Sequence, residues 1–412
     1  MSLAPAGFRR GWPSANAQRT SSEKRKNVST VSRPHAVTRS VRHSVMPRFP
    51  PAISLCLLLL TCWSAAASAA TKGGLPQTTA FDVRDVTGMK VSFARLPQRI
   101  VVVGQGPFMP MHLLYMFPEC RERLVGYEEK FKNTDTFLPF VDPQFSKKVA
   151  LATNPGPEQV AALHPDLVVM KGSTPTPLGE SLAVLGIPVV YLGMEDPERF
   201  LQEVDTVGVL FGNRPRAAEI RQFYQTRLDR LKSRVEGVKP AGKPRVLVME
   251  YNDRGGKAAV QVPGKSWTQT IQAQRAGGNP VWLEATQASE GWTITNFEQV
   301  AAWDPDKVFI IPWFTLDPKE VLASFRTDPR WRLLKAVKGN ELYIFPSDIF
   351  GWDSAEPRWI LGMTWMATRI FPDRFKDVDM KQEVYQFFER MYAMEKSIID
   401  TAVMPKILLE GR

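Results

Sequence analysis

Gly104-Gln105-Gly106 follows an apolar run, as the glycines of a dinucleotide-phosphate turn do. The third glycine of that pattern falls on Met109, so G-x-G-x-x-G is not met. Gly264-Lys265-Ser266 matches the end of a phosphate loop, yet the required first glycine falls on Ala259. Neither G-x-S-x-G nor H-E-x-x-H occurs. The scattered Asp and Glu have no spacing diagnostic of an acid–base pair and are expected on a solvated surface. Past residue 69 only His112 and His164 remain, both expected to be structural or on the surface, and only Cys120. This set argues against a bare transition-metal site, and one cysteine closes no internal disulfide. No cofactor is implied, and the expectation is a protein that is not an enzyme.

Two carboxylates stand apart because they recur. Glu158-Gln159-Val160-Ala161-Ala162-Leu163-His164-Pro165-Asp166-Leu167-Val168 returns as residues 298–308, identical except at Leu163/Trp303, His164/Asp304 and Leu167/Lys307. Each copy reads as a short helix with a first-turn Glu favoured by the helix dipole, a Pro-Asp stop, then a buried strand. Glu158 and Glu298 should therefore occupy equivalent positions in two similar lobes.

Strands are expected at Arg99–Val103, Leu167–Met170 and Val189–Tyr191 in the first half. In the second half they are expected at Arg245–Glu250, Val308–Ile311 and Leu342–Phe345. Continuous apolar runs alternating with helical segments indicate parallel-rich sheets covered on both faces. Between the halves, Ile220, Phe223, Tyr224, Leu228 and Leu231 recur at helical spacing, with Pro215 at the start and Gly237 at the stop. The fold class is α/β: two Rossmann-like lobes linked by one long helix, with a ligand expected at the C-terminal ends of the strands.

Residues 1–69 hold 10 of the 53 Lys and Arg but only Glu23 among the 42 acids. The rest is nearly neutral, which excludes nucleic-acid binding by bulk charge. Residues 1–45, rich in Ser, Arg and Pro, read as a disordered basic extension. Residues 46–69 read as a signal peptide, with Met46 a candidate start, an apolar run from Ile53 to Leu60 and small residues up to Ala69. Leu59-Leu60-Thr61-Cys62 approaches a lipobox, so a lipid anchor at Cys62 is a second form of the exported chain. The expected divisions are an N-terminal lobe 70–213, a linking helix 214–238 and a C-terminal lobe 239–412. No later apolar run reaches the length of about 20 residues that spans a bilayer.

Several stretches carry a family resemblance: Asp82-Val83 through Gly88 to Pro97-Gln98-Arg99-Ile100-Val101-Val102, Asn154-Pro155-Gly156-Pro157-Glu158, Leu185-Gly186-Ile187-Pro188-Val189, and Asp353-Ser354-Ala355-Glu356-Pro357-Arg358-Trp359. In this order they resemble the periplasmic substrate-binding proteins of ABC importers for iron–siderophore complexes, haem and cobalamin. The resemblance covers about residues 80–395. It implies a class III periplasmic binding fold, a periplasmic location, and an ABC permease with its ATPase as partners. It implies that Glu158 and Glu298 dock onto permease arginines. Ligand contacts are implied at Gln105, Pro107 and Phe108, at Lys171, Gly172 and Ser173, and at Tyr251, Lys265, Ser266 and Trp267. Trp313, Phe314, Phe350 and Trp352 complete the set. Aromatics with a few cations suit a metal chelate or another small anionic ligand bound by a monomer. A small oxyanion such as molybdate, an exported enzyme, or a sensor domain on the same fold are the alternatives.

Overall fold

The structure is a computed structural model that describes residues 80–129, 137–253, 259–286, 291–348 and 350–410. The basic extension, the signal peptide and Cys62 lie outside the described residues. Among the described residues, no helix is long and apolar enough to cross a membrane.

A hairpin of β1 (Phe81–Arg84) and β2 (Lys90–Phe93) leads into the first sheet. That sheet comprises β3 (Ile100–Val103), β4 (Leu124–Glu128), β5 (Val149–Leu151), β6 (Leu167–Lys171) and β7 (Val189–Leu192). Its order is β5-β4-β3-β6-β7, with every pair parallel. Ile100 to Val103 are 0% exposed, as expected of a central strand covered on both faces.

The second sheet is built from β8 (Arg245–Asn252), β9 (Ala259–Val262), β10 (Asn279–Pro280), β11 (Thr293–Thr295), β12 (Lys307–Pro312) and β13 (Leu342–Ile344). Strands β8, β12 and β13 are parallel, and they stand to one another as β3, β6 and β7 do. The other edge of β8 differs. β10 takes its first two residues in parallel, and β9, antiparallel and itself paired with β11, takes its last three. This is the α/β, parallel-rich, two-lobed fold expected.

The internal repeat has a physical basis beyond its strands. The Asp166 carboxylate accepts the backbone N–H groups of Gln98 and Arg99 at 2.7–3.0 Å. The Arg99 guanidinium donates to the carbonyls of Leu163 and His164. In the second lobe, Asp306 accepts the N–H of Arg245 at 2.6 Å, and the Arg245 guanidinium donates to the Trp303 carbonyl at 2.6 Å. His164 and Asp304 both adopt positive φ, 48° and 39°, where the helix turns back into the strand. The sequence matches because each lobe closes its base with the same arginine–aspartate latch.

The lobes are joined by the helix Arg214–Val235. The Asn213 side chain caps it by accepting the Arg216 N–H, and Pro215 sits in its first turn. Its apolar side packs on the preceding helix, Pro197–Phe211. The contact is close at Gly208, where a Cβ would lie 2.6 Å from that of Ala217. Arg227 is buried, stacks 3.5 Å from the Phe223 ring centroid and pairs with Glu383 at 2.7 Å. Tyr224 donates to the Pro357 carbonyl at 2.6 Å. The linking helix is thus fastened to both lobes along its length.

Candidate ligand cleft and docking carboxylates

Chain direction places the two repeated glutamates. The chain leaves β5 at the C-terminal edge of the first sheet and returns through the helix Pro157–Ala161 to start β6. β11 runs with β8, because two antiparallel pairings separate them, and the helix Phe297–Trp303 returns the chain to β12. Glu158 and Glu298 are therefore first-turn residues at the C-terminal edge of their sheets, and both are exposed. Glu298 has the added positive field of Arg330, whose guanidinium also lies 5.7 Å from the Phe297 ring.

The same edges carry the expected ligand residues. After β3, Gly104 and Gly106 take φ of 100° and 62°, so the chain turns sharply and leaves Gln105 exposed. The Gly104 N–H donates to the buried Glu128 carboxylate at 2.7 Å, whose other oxygen accepts the Asn154 N–H at 2.9 Å. One carboxylate thus ties the loop after β3 to the loop that leads to Glu158. Phe108 opens the next helix and stacks on Phe350 of the other lobe, with centroids 3.8 Å apart and planes within 9°. Lys171 ends β6, and its stem passes Gly106. Ser173 is exposed two residues later.

In the second lobe, Tyr251 is half-buried with its ring edge-on to Phe325. Lys265 is exposed, and Trp267 precedes the helix Thr268–Arg275 with its ring across that of Trp292. Trp313 and the exposed Phe314 lie together at the end of β12. Trp352 corrects the expectation. It is 0% exposed, and its indole N–H donates to Asp348 at 3.1 Å. An aromatic in a loop after a strand looks alike in sequence whether it faces the mouth or the core, and this one packs in the core.

Sequence reasoning missed the polar groups that join the lobes. His112 lies in the helix Phe108–Leu114 of the first lobe, and its Nδ1 is 3.2 Å from Arg358 Nη1 and 3.4 Å from Glu356. Arg358 is fully buried and pairs with Asp348 at 2.8 Å and Glu356 at 2.5 Å. Burial opposes the Arg358 charge, yet the carboxylates of Asp348 and Glu356 hold its pKa above the ordinary value. Burial, with Arg358 beside it, holds the His112 pKa well below the usual imidazole value. His112 is therefore neutral, and its Nδ1 accepts from Arg358. Nearby, burial pushes the Asp353 carboxyl up to about 6 against the hydrogen bond it accepts from Gln269. The only signal in the sequence was Glu356-Pro357-Arg358 set directly before an apolar helix.

A further contact crosses the lobes where β7 ends. The Glu195 carboxylate pairs with Lys171 at 2.6 Å and accepts from the Thr268 hydroxyl at 3.0 Å. Glu198 pairs with Arg275 at 2.7 Å in the same seam. Among the described residues no group of three or more His, Cys, Asp and Glu gathers as metal ligands would.

A periplasmic binding protein family model matches residues 126–349, more than half of the chain. The chain belongs to the periplasmic binding protein family. Among curated proteins, the molybdate-binding protein MolA of Haemophilus influenzae is 20% identical over 256 residues, 57% of this chain and 69% of that protein. The solved structure of MolA with molybdate bound matches with a TM-score of 0.60 at 18% identity, over 76% of this chain and 98% of its own. A periplasmic solute binding protein from Veillonella parvula matches with a TM-score of 0.63 at 23% identity, over 79% and 97%. CeuE of Helicobacter pylori, in a nickel–histidine complex, matches with a TM-score of 0.62 at 19% identity, over 79% and 99%. These likenesses establish the class III periplasmic binding fold for this family member.

Proposed function

We propose that this chain is the extracytoplasmic, monomeric solute-binding component of an ABC importer. It takes an iron chelate, such as a ferric siderophore or haem, or a related metal complex between its lobes and hands it to a permease coupled to an ATPase. It performs no chemistry on its cargo. The observation that supports this most is the equivalent, exposed placement of Glu158 and Glu298, one per lobe, at the C-terminal edges of the two sheets. Paired carboxylates on a rigid frame suit charge-assisted contacts to guanidinium groups on a two-fold or pseudo-two-fold partner.

The proposed ligand contacts are Gln105, Phe108, Lys171 and Ser173 from the first lobe, with Tyr251, Lys265, Trp267 and Trp313 from the second. Aromatic faces beside isolated cations favour a flat or chelated anion over a bare metal ion. Molybdate is the second reading, favoured by the likeness to MolA. Thermal shift against ferric siderophores, haem, corrinoids and molybdate separates the two, because a ligand that binds only the folded state raises its apparent stability. The docking role is tested by Glu158→Lys/Glu298→Lys. Uptake should fall to background while affinity for the cargo is kept, since both are exposed first-turn helix residues outside the proposed contact set. Unimpaired uptake would refute docking through this pair.

A further inference from the structure

The Lys171 ammonium is already engaged. Glu195 Oε1 lies 2.6 Å from Lys171 Nζ, and Glu195 Oε2 and the Glu195 carbonyl each accept from the Thr268 hydroxyl, at 3.0 and 2.9 Å. Lys171 belongs to the first lobe and Thr268 to the second, so one carboxylate closes a three-part clasp across the mouth. Its aim is built into the backbone. Met194 adopts φ of 62°, an uncommon conformation for a residue with a side chain. That turn is held by the buried carboxylate of Glu203, which accepts the N–H groups of Gly193 at 2.6 Å and Met194 at 3.0 Å.

The two partners differ in what separation would cost them. The Lys171 side chain is 17% exposed and the Glu195 side chain 42%. A mostly buried ammonium without a counter-ion is costly, whereas a half-exposed carboxylate can turn to water. We propose that Glu195 is a specificity-determining residue: it occupies Lys171 in the free protein as an internal counter-anion, and an anionic ligand gains Lys171 only by displacing it. The geometry then does two things. Weak anions that cannot outcompete a tethered carboxylate are refused, and a ligand that succeeds also loosens the Lys171–Glu195–Thr268 clasp between the lobes. This inference rests on Lys171 being a ligand contact.

The test uses the full mature chain with molybdate as the anionic probe, followed by calorimetry. A second readout without any ligand is the acylation of Lys171 by an amine-directed N-hydroxysuccinimide ester, followed by peptide mass mapping. Glu195→Gln keeps the shape of the side chain and removes its charge. It should tighten molybdate binding about tenfold, the worth of one charge-assisted competitor. Lys171 should be acylated several-fold faster than in the wild type. Lys171→Met should weaken binding, and Glu195→Gln should give no gain in the Lys171→Met background. Equal acylation rates, or unchanged or weaker molybdate binding by Glu195→Gln, would overturn the inference. If molybdate binds neither protein, haem replaces it as the probe, with its propionates as the anion, and a Glu195→Gln variant that binds haem no tighter than the wild type overturns the inference. If Lys171→Met binds molybdate as the wild type does while acylation is still faster in Glu195→Gln, the pairing stands, but Lys171 leaves the ligand set and competition falls with it. Loss of the Glu195→Gln effect with a normal Lys171→Met effect removes the competitor role and leaves the ligand reading intact.

Discussion

Glu203 gives the sharpest test of how the mouth of the first lobe is held. Its carboxyl is 5% exposed, and burial pushes its pKa from 4.5 up to about 7 against the two backbone N–H groups that favour its charge. The folded state therefore keeps the proton over a range where the unfolded chain has lost it. Stability from this group is complete below about pH 4.5 and is lost as pH rises through about 7. At roughly 1.36 kcal/mol per unit, the wild type should lose about 2–3 kcal/mol relative to Glu203→Gln between pH 5 and pH 8. Other titrating groups cancel in that difference. Urea unfolding of both proteins at the two pH values measures it, with midpoints and slopes fitted together. The amide variant also carries a pH-independent cost, because its NH2 faces the Met194 N–H, so only the change with pH is decisive. A gap between the two proteins that is the same at pH 5 and pH 8 would refute the reasoning. A gap that moves in the wild type's favour as pH rises would mean that the backbone donors outweigh burial.

The buried pairings elsewhere give further expectations. Arg358→Met should cost about 3–5 kcal/mol by leaving Asp348 and Glu356 buried without their cation, and adding Asp348→Asn and Glu356→Gln should recover much of it in denaturant melts. His112 faces Arg358 and Glu356 directly and lies in the field of Asp348, and its folded pKa is depressed. Stability is thus present above about pH 6.5 and lost as pH falls, so His112→Phe should flatten the decline between pH 7 and pH 5, seen in melting temperature against pH. Asp166→Ala and Asp306→Ala should each cost about 1–3 kcal/mol by orphaning backbone donors, and the two should add, because the latches share no partner; chemical denaturation of the single and double variants checks this.

The central strands were legible in the sequence because they are continuous apolar runs, and the repeat was legible because the latch requires Asp after Pro in both lobes. The edges were not. β5 has three residues, two of them exposed, and β9 is half-buried except at the fully buried Val262, so neither shows a clear period. β4 contains Gly126, which reads as a breaker. It is there because the Leu163 side chain presses on it, leaving 2.4 Å for any Cβ. The exposed glutamates followed from the repeat, whereas the carboxylates of Asp348, Asp353 and Glu356 were expected on the surface and lie in the core. Composition cannot reveal that, because a buried acid is set by the cation that meets it, and Arg358 meets its partners through the fold.

The paired latches also mark where the two halves can differ in length. Arg99 and Arg245 stand 146 residues apart, whereas Asp166 and Asp306 stand 140 apart, so the intervening chain differs by six residues between the two halves. That difference falls on the side where β4 and β5 of one half give way to β9, β10 and β11 of the other. The two halves thus share the base that carries the latches and the strands β3, β6, β7 and β8, β12, β13, and they differ at the opposite sheet edge. An insertion or deletion at that edge leaves both latches closed, so each half can change length there without loosening its base.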